Sequence, residues 1–116
     1  MREFLDKLKA VDILLDPYPY NGGTTGYNTL WMGVPFVSMA TLGELGRAGF
    51  AILNGVGLGD LCATSTGGYV TNGLRLTSDK KLLQALRGTL RNRFIATGLT
   101  DGDRMSRWVE SAYRDM

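Results

Sequence analysis

A chain of 116 residues with 44% apolar side chains and a formal charge of +2 has the composition of one small globular domain, below the usual size of two-domain enzymes that close over a substrate. The near balance of charge gives no strong pull toward nucleic acid or a membrane surface, and the absence of histidine excludes a Ser-His-Asp triad, a His-ligated metal and a histidine base. The one cysteine, Cys62, cannot form an internal disulfide, and with no apolar run of about 20 residues and no secretory leader the chain reads as cytoplasmic.

Phe4, Leu5, Leu8 and Val11 recur at helical spacing among Arg2, Asp6, Lys7 and Lys9, which predicts a short amphipathic helix over residues 2–10. Val11 to Leu15 is apolar except for Asp12 and is bounded by Pro17, the pattern of a parallel strand buried on both faces. Pro17 and Pro19 impose an extended path, and Asn21-Gly22-Gly23 supplies permissive backbone before the next helix. That helix is predicted from Thr24 to Met32, with Tyr27, Leu30 and Trp31 on one face and Thr24 and Asn28 on another. Gly33 ends it, and Pro35 opens a second strand that runs through Met39.

Leu42 to Asn54 is expected to be helical, packing through Leu45, Ala48, Gly49, Ile52 and Leu53, although Gly43, Gly46 and Gly49 lower its propensity. Gly55 to Ala63 is glycine-broken and predicts a turn and a short strand, with Cys62 a buried structural thiol; Thr64 to Gly68 reads as a loop. A helix follows near Tyr69 to Leu76. Ser78 or Asp79 then caps a clearer one with Leu82, Leu83, Leu86, Leu90 and Phe94 on a single stripe. Its Lys80, Lys81, Arg87, Arg91 and Arg93 read as a solvated face. Gly98 breaks the chain, and Asp103 to Asp115 predicts a last amphipathic helix through Met105, Trp108, Val109, Ala112 and Tyr113. The order of elements predicts a single α/β domain over residues 1–116, a small parallel sheet of three strands with several flanking helices. So thin a sheet reads as a piece of a larger doubly wound domain.

The strand, Gly-rich turn and helix across Asp12 to Met32 form the geometry of an anion site, because the first N–H groups of a helix lack intrahelical partners and carry the positive end of its dipole. Gly22, Gly23, Thr24 and Thr25 are the candidate phosphate-binding residues, the two hydroxyls adding donors, and Asn28, one turn further along, can reach sugar hydroxyls beside the phosphate. The same Gly-Gly also serves as a plain tight connection with Thr24 as N-cap, and neither a P-loop nor a full Gly-x-Gly-x-x-Gly fingerprint is present. The position favours a ligand, since open α/β sheets bind ligands beyond the carboxyl ends of their strands.

Through Asp12-Ile-Leu-Leu-Asp-Pro-Tyr-Pro-Tyr-Asn-Gly-Gly-Thr-Thr25, Leu30-Trp-Met-Gly-Val-Pro35, Gly46-Arg47 and Glu110-Ser-Ala-Tyr-Arg-Asp-Met116, almost the whole chain resembles the carboxyl-terminal part of O-linked N-acetylglucosamine transferases of the tetratricopeptide-containing type, particularly the bacterial branch. The resemblance implies the later half of the carboxyl-terminal, Rossmann-like, UDP-sugar-binding domain of a GT-B enzyme. It implies that Gly22, Gly23, Thr24 and Thr25 hold the donor diphosphate, that Asn28 meets the ribose, and that Tyr20 and Asn21 line the donor-sugar pocket. Three positions depart from the pattern: animal members carry histidine where Gly23 stands, the family usually has an acidic residue at Asn28, and the Gly-Glu pair common after the second strand is altered to Thr41-Leu42-Gly43. An amide at Asn28 still accepts one hydroxyl hydrogen bond but lacks a carboxylate's charge.

The implied reaction is inverting transfer of N-acetylglucosamine from UDP-GlcNAc to a Ser or Thr hydroxyl of a protein acceptor, with no metal and no cofactor beyond the donor substrate. The amino-terminal GT-B domain, the acceptor-positioning repeats and the lysine directed at the diphosphate lie outside this stretch, so the chain is expected to be inactive alone, and surfaces exposed by truncation can support self-association. Two other readings stand beside it: a non-catalytic interaction module that has lost nucleotide binding, and a GT-B enzyme using another nucleotide sugar.

Overall fold

In the computed structural model, which describes residues 1–43 and 46–116, helices and short strands alternate through the first half and helices alone follow. The elements are α1 (Arg2–Lys9), β1 (Leu14–Leu15), α2 (Gly23–Trp31), β2 (Phe36–Met39), α3 (Ala48–Gly55), a 3-10 turn (Gly59–Leu61), β3 (Cys62–Ala63), α4 (Thr66–Ser78), α5 (Lys80–Ala96) and α6 (Gly102–Arg114). The strands form one parallel sheet in the order β1-β2-β3, with Leu14 opposite Phe36, Leu15 opposite Val37, Ser38 opposite Cys62 and Met39 opposite Ala63. A parallel sheet directs every strand's carboxyl end to one edge. The three following loops therefore gather there.

The central strand β2 is buried at all four positions, as an apolar parallel strand with neighbours on both sides should be. Around it Leu30, Phe36, Val37, Leu53, Leu61, Leu76, Leu90 and Phe94 form the core. At Gly26 a Cβ would stand 3.0 Å from Ile52 Cδ1, so the missing side chain lets α2 lie against α3. Gly33 closes α2 with φ +73°, a conformation L side chains rarely adopt, and turns the chain into β2.

The expected stripe on α5 is present: Leu86, Leu90 and Phe94 are buried, and Asp79 rather than Ser78 is the cap, accepting from Leu82 N at 2.9 Å. Elsewhere the elements differ from the sequence pattern. The first strand is confined to Leu14–Leu15, and Leu15 is 62% exposed, because β1 is an edge strand that pairs, among the described residues, with β2 alone. The third helix begins at Ala48; Leu42 and Gly43 are exposed and not helical, and the expected packing of Leu45 lies outside the described residues. The loop expected over Thr64 to Gly68 shrinks to two residues, since Ser65 Oγ caps α4 by accepting from Gly68 N at 3.1 Å. Cys62 is only half-buried. No residue of α6 is buried, and its apolar stripe at Met105, Trp108, Val109 and Tyr113 is exposed.

The basic face of α5 is also not simply solvated. Arg87 donates to the carbonyls of Lys9 at 3.1 Å, Val11 at 2.5 Å and Asp12 at 3.3 Å, tying α5 to the connection before β1. Arg91 donates to the Trp31 carbonyl at 2.7 Å and stacks 4.7 Å from the centre of that indole.

Candidate functional site

At the carboxyl edge of the sheet the chain leaves β1 through Asp16, passes the cis Tyr18–Pro19 peptide, and enters α2 at Gly23. Two side chains staple this excursion. Asp16, 2% exposed, accepts from Gly22 N at 2.8 Å through Oδ1 and from the Ser38 hydroxyl at 2.5 Å through Oδ2. Asn21, equally buried, donates through Nδ2 to the carbonyls of Pro17 at 3.1 Å and Met39 at 3.5 Å, while its Oδ1 accepts from Gly49 N at 3.3 Å. Tyr69 adds a third tie from α4, donating its hydroxyl to the Asp16 carbonyl at 2.9 Å.

With Gly22 N engaged, the amides of Gly23, Thr24 and Thr25 remain at the start of α2. They have no protein acceptor among the described residues, as the first turn of a helix dictates. The side chains of Thr24 and Thr25 likewise make no hydrogen bond there; Thr24 is exposed and Thr25 half-buried. Asn28 lies one turn along, half-buried, with no side-chain partner among the described residues. Free N–H groups and two hydroxyls thus share the start of α2, with the Asn28 amide further along the same helix. α2 carries no acidic side chain in its own first turn, and the Asp16 carboxylate that accepts from Gly22 N stands at its positive dipole end.

The remaining sequence candidates fall differently. Tyr20 is 64% exposed at the tip of the excursion, and Asn21 faces inward, its side chain committed to Pro17, Met39 and Gly49. Gly22 acts as the N-cap, extended at φ −80° and ψ 97°, and its carbonyl accepts from Gly26 N at 3.0 Å.

Beside the turn, beyond β2 and β3, lies a cleft of about 970 Å³ lined by Tyr18, Met39, Thr41, Arg47, Phe50, Cys62 and the hydroxyl-bearing run Thr64 to Thr66. Neither Gly22 to Thr25 nor Asn28 lines it. Burial pushes the Cys62 thiol above its ordinary pKa; hydrogen bonding from Ser38 and the Ala40 backbone opposes this in part, and the Asp16 charge adds to it. Tyr69 is raised as well, first by burial and then by Asp16.

Sequence reasoning missed the roles of Asp16, Ser38 and Gly49. The one available signal was an acid at the carboxyl end of an apolar strand, in Leu14-Leu15-Asp16, where nothing in the local pattern supplies a partner.

Comparison with known proteins bears on this arrangement. A family profile described as Glycosyl transferase family 41 matches residues 2–107. The chain is 43% identical over 114 residues to the probable UDP-N-acetylglucosamine–peptide N-acetylglucosaminyltransferase SPINDLY of Hordeum vulgare, covering 98% of this chain and 12% of that protein. It is 32% identical over 85 residues to the UDP-N-acetylglucosamine–peptide N-acetylglucosaminyltransferase of Caenorhabditis elegans, covering 73% of this chain and 7% of that protein. Among solved structures, the K341M mutant of the Thermobaculum terrenum O-GlcNAc transferase superposes with a TM-score of 0.90 at 32% identity, over 99% of this chain and 22% of that one. The chain therefore spans about an eighth of the length of its plant relative and less than a quarter of the bacterial one.

Proposed function

The chain belongs to glycosyl transferase family 41, and from that premise we propose that it forms the donor-binding corner of a protein O-glycosyltransferase, holding the diphosphate of UDP-GlcNAc. The supporting observation is the set of three consecutive free amides, Gly23 to Thr25, at the carboxyl edge of a parallel sheet, flanked by two hydroxyls with no protein partner among the described residues. In this reading Gly23, Thr24 and Thr25 donate to the diphosphate, Gly22 shapes the turn, Asn28 accepts from a ribose hydroxyl, and exposed Tyr20 borders the sugar. Asn21 serves the sugar pocket by holding the loop that borders it.

Transfer to a Ser or Thr hydroxyl requires the bond between the anomeric carbon and the diphosphate to break, leaving charge on the departing oxygens. Fixed N–H groups at a helix N-terminus stabilise that charge with no reorganisation at the moment of reaction, which is where a site of this kind contributes most. The 116 residues contain no histidine to take the acceptor proton, and this reading leaves proton transfer to other parts of a full-length enzyme. Turnover therefore depends on the remainder of a full-length enzyme, and UDP binding is the activity expected of this part.

Titrating UDP into the folded chain tests the reading: saturable binding supports it, and absence of binding at millimolar UDP rejects it. UDP-GlcNAc compared with UDP-glucose in a full-length enzyme then identifies the donor. Asn28 favours one second reading, a module that kept the fold and lost the nucleotide. Asn28→Asp separates the two, since added charge on a ribose contact tightens a working site and changes nothing in a silent one.

A further inference from the structure

We propose that Asp16 is a positioning residue of the donor site, a role that rests on the donor reading above: its carboxylate fixes the Gly22 peptide so that the next three amides converge on the diphosphate. A carboxylate that is 2% exposed and has no cationic partner within ion-pair distance among the described residues is costly to keep. A well-packed apolar residue would often serve the core as well, so a buried carboxylate here asks for a reason in the groups it binds.

The reason lies in what Oδ1 holds. Gly22 N is bound to Asp16 at 2.8 Å, and Gly22 O is bound to Gly26 N at 3.0 Å. The peptide groups on both sides of Gly22 are thereby pinned, one to the end of β1 and the other to the first turn of α2. Gly22 has no side chain to restrict its own dihedrals, so without the first pin the entry to the helix could swing and the free amides would lose their common direction. Donors set in place before the ligand arrives bind it more tightly because less ordering remains to be done. The negative charge of Asp16 gives no benefit to a neighbouring diphosphate. What matters is the acceptor oxygen, and an amide can supply one.

The test uses the full chain labelled with ¹⁵N, with UDP affinity measured by calorimetry and the Gly22 amide followed by NMR. Asp16→Ala should weaken UDP by about tenfold or more, while Asp16→Asn, which keeps an oxygen facing Gly22, should stay within about threefold of the parent. Ser38→Ala removes the other partner of the carboxylate and should lower stability while leaving UDP affinity within about twofold. The Gly22 amide should be downfield and protected from exchange in the parent and in Asp16→Asn, and lose both properties in Asp16→Ala.

If Asp16→Ala does not fold, Asp16→Leu, alike in branching though bulkier and without an acceptor, carries the same expectation. A folded Asp16→Ala or Asp16→Leu that binds UDP like the parent overturns the proposal, and so does Ser38→Ala if it loses as much affinity as Asp16→Ala. A parent chain that ignores UDP overturns the donor reading itself. In that chain the exchange of the Gly22 amide still decides whether Asp16 holds the turn: an unprotected amide overturns the clamp.

Discussion

Gly49 packs directly onto Ser38: a Cβ on Gly49 would overlap the Ser38 hydroxyl oxygen and stand 2.7 Å from Asp16 Oδ2. The glycine is required because α3 must bring its backbone N–H to Asn21 Oδ1 at 3.3 Å while Ser38 and Asp16 bond directly beneath. Gly49→Ala should therefore cost about 3 kcal/mol, combining overpacking with a strained buried hydrogen bond. Urea unfolding with an unchanged slope measures it. A loss below about 0.5 kcal/mol would mean that the three groups are less tightly packed than described.

The same trio explains how much could be read from the sequence. Gly22-Gly23-Thr24-Thr25 between two apolar runs announced the turn and helix to within one residue, because turn chemistry and periodicity are local. The parallel sheet and the Leu86, Leu90, Phe94 stripe were legible for the same reason. The bond from Ser38 to Asp16 spans 22 positions and that from Gly49 to Asn21 spans 28, and no periodic pattern encodes a polar pair at such separation. The first strand was legible, but its shortness and edge position were not, because apolar composition does not distinguish an edge strand from a central one. Neither did charge reveal which arginines of α5 are structural.

Arg87 is the clearest of those. Its guanidinium serves three carbonyls of the segment joining α1 to β1, and its distance to the Asp12 carboxylate is 4.0 Å, with that carboxylate 82% exposed. The carbonyl bonds should therefore outweigh the ion pair. Arg87→Met, which keeps the apolar stem, should lower stability by about 1–2 kcal/mol, and Arg87→Lys should recover only part because one ammonium cannot reproduce the fork. Asp12→Asn should change stability by less than about 0.5 kcal/mol. Chemical denaturation of the three variants gives the ranking, and an Asp12→Asn loss equal to that of Arg87→Met would reverse the assignment.

The threonines should separate binding from stability. Neither the Thr24 nor the Thr25 hydroxyl has a protein partner among the described residues, so replacing either by the isosteric valine removes a donor that the fold does not use. Thr24→Val and Thr25→Val should each weaken UDP by about three- to tenfold, with midpoints of unfolding within about 0.5 kcal/mol of the parent. Calorimetric titration beside thermal unfolding tests both halves. Unchanged affinity in both variants would remove the hydroxyls from the site and leave only the amides.

Cys62 links the cleft to pH. Burial raises its pKa, Ser38 and the Ala40 backbone offset part of the rise, and the charge of Asp16 adds to it. The thiolate is the reactive form, so alkylation by iodoacetamide should be slower in the folded chain than in urea at neutral pH, with a pH profile displaced to the alkaline side. The linked effect on stability has a definite sign. A thiol that holds its proton more tightly when folded contributes stability fully present below the unfolded-state pKa, near the ordinary thiol value of 9.0, and lost as pH rises through the folded value. Tyr69 is raised too and extends the loss to higher pH. Cys62→Ala should therefore flatten the first part of the alkaline decline and leave the tyrosine part in place. Unfolding midpoints across that range in the parent and the variant measure the difference, and parallel curves would show that the thiol titrates alike in both states.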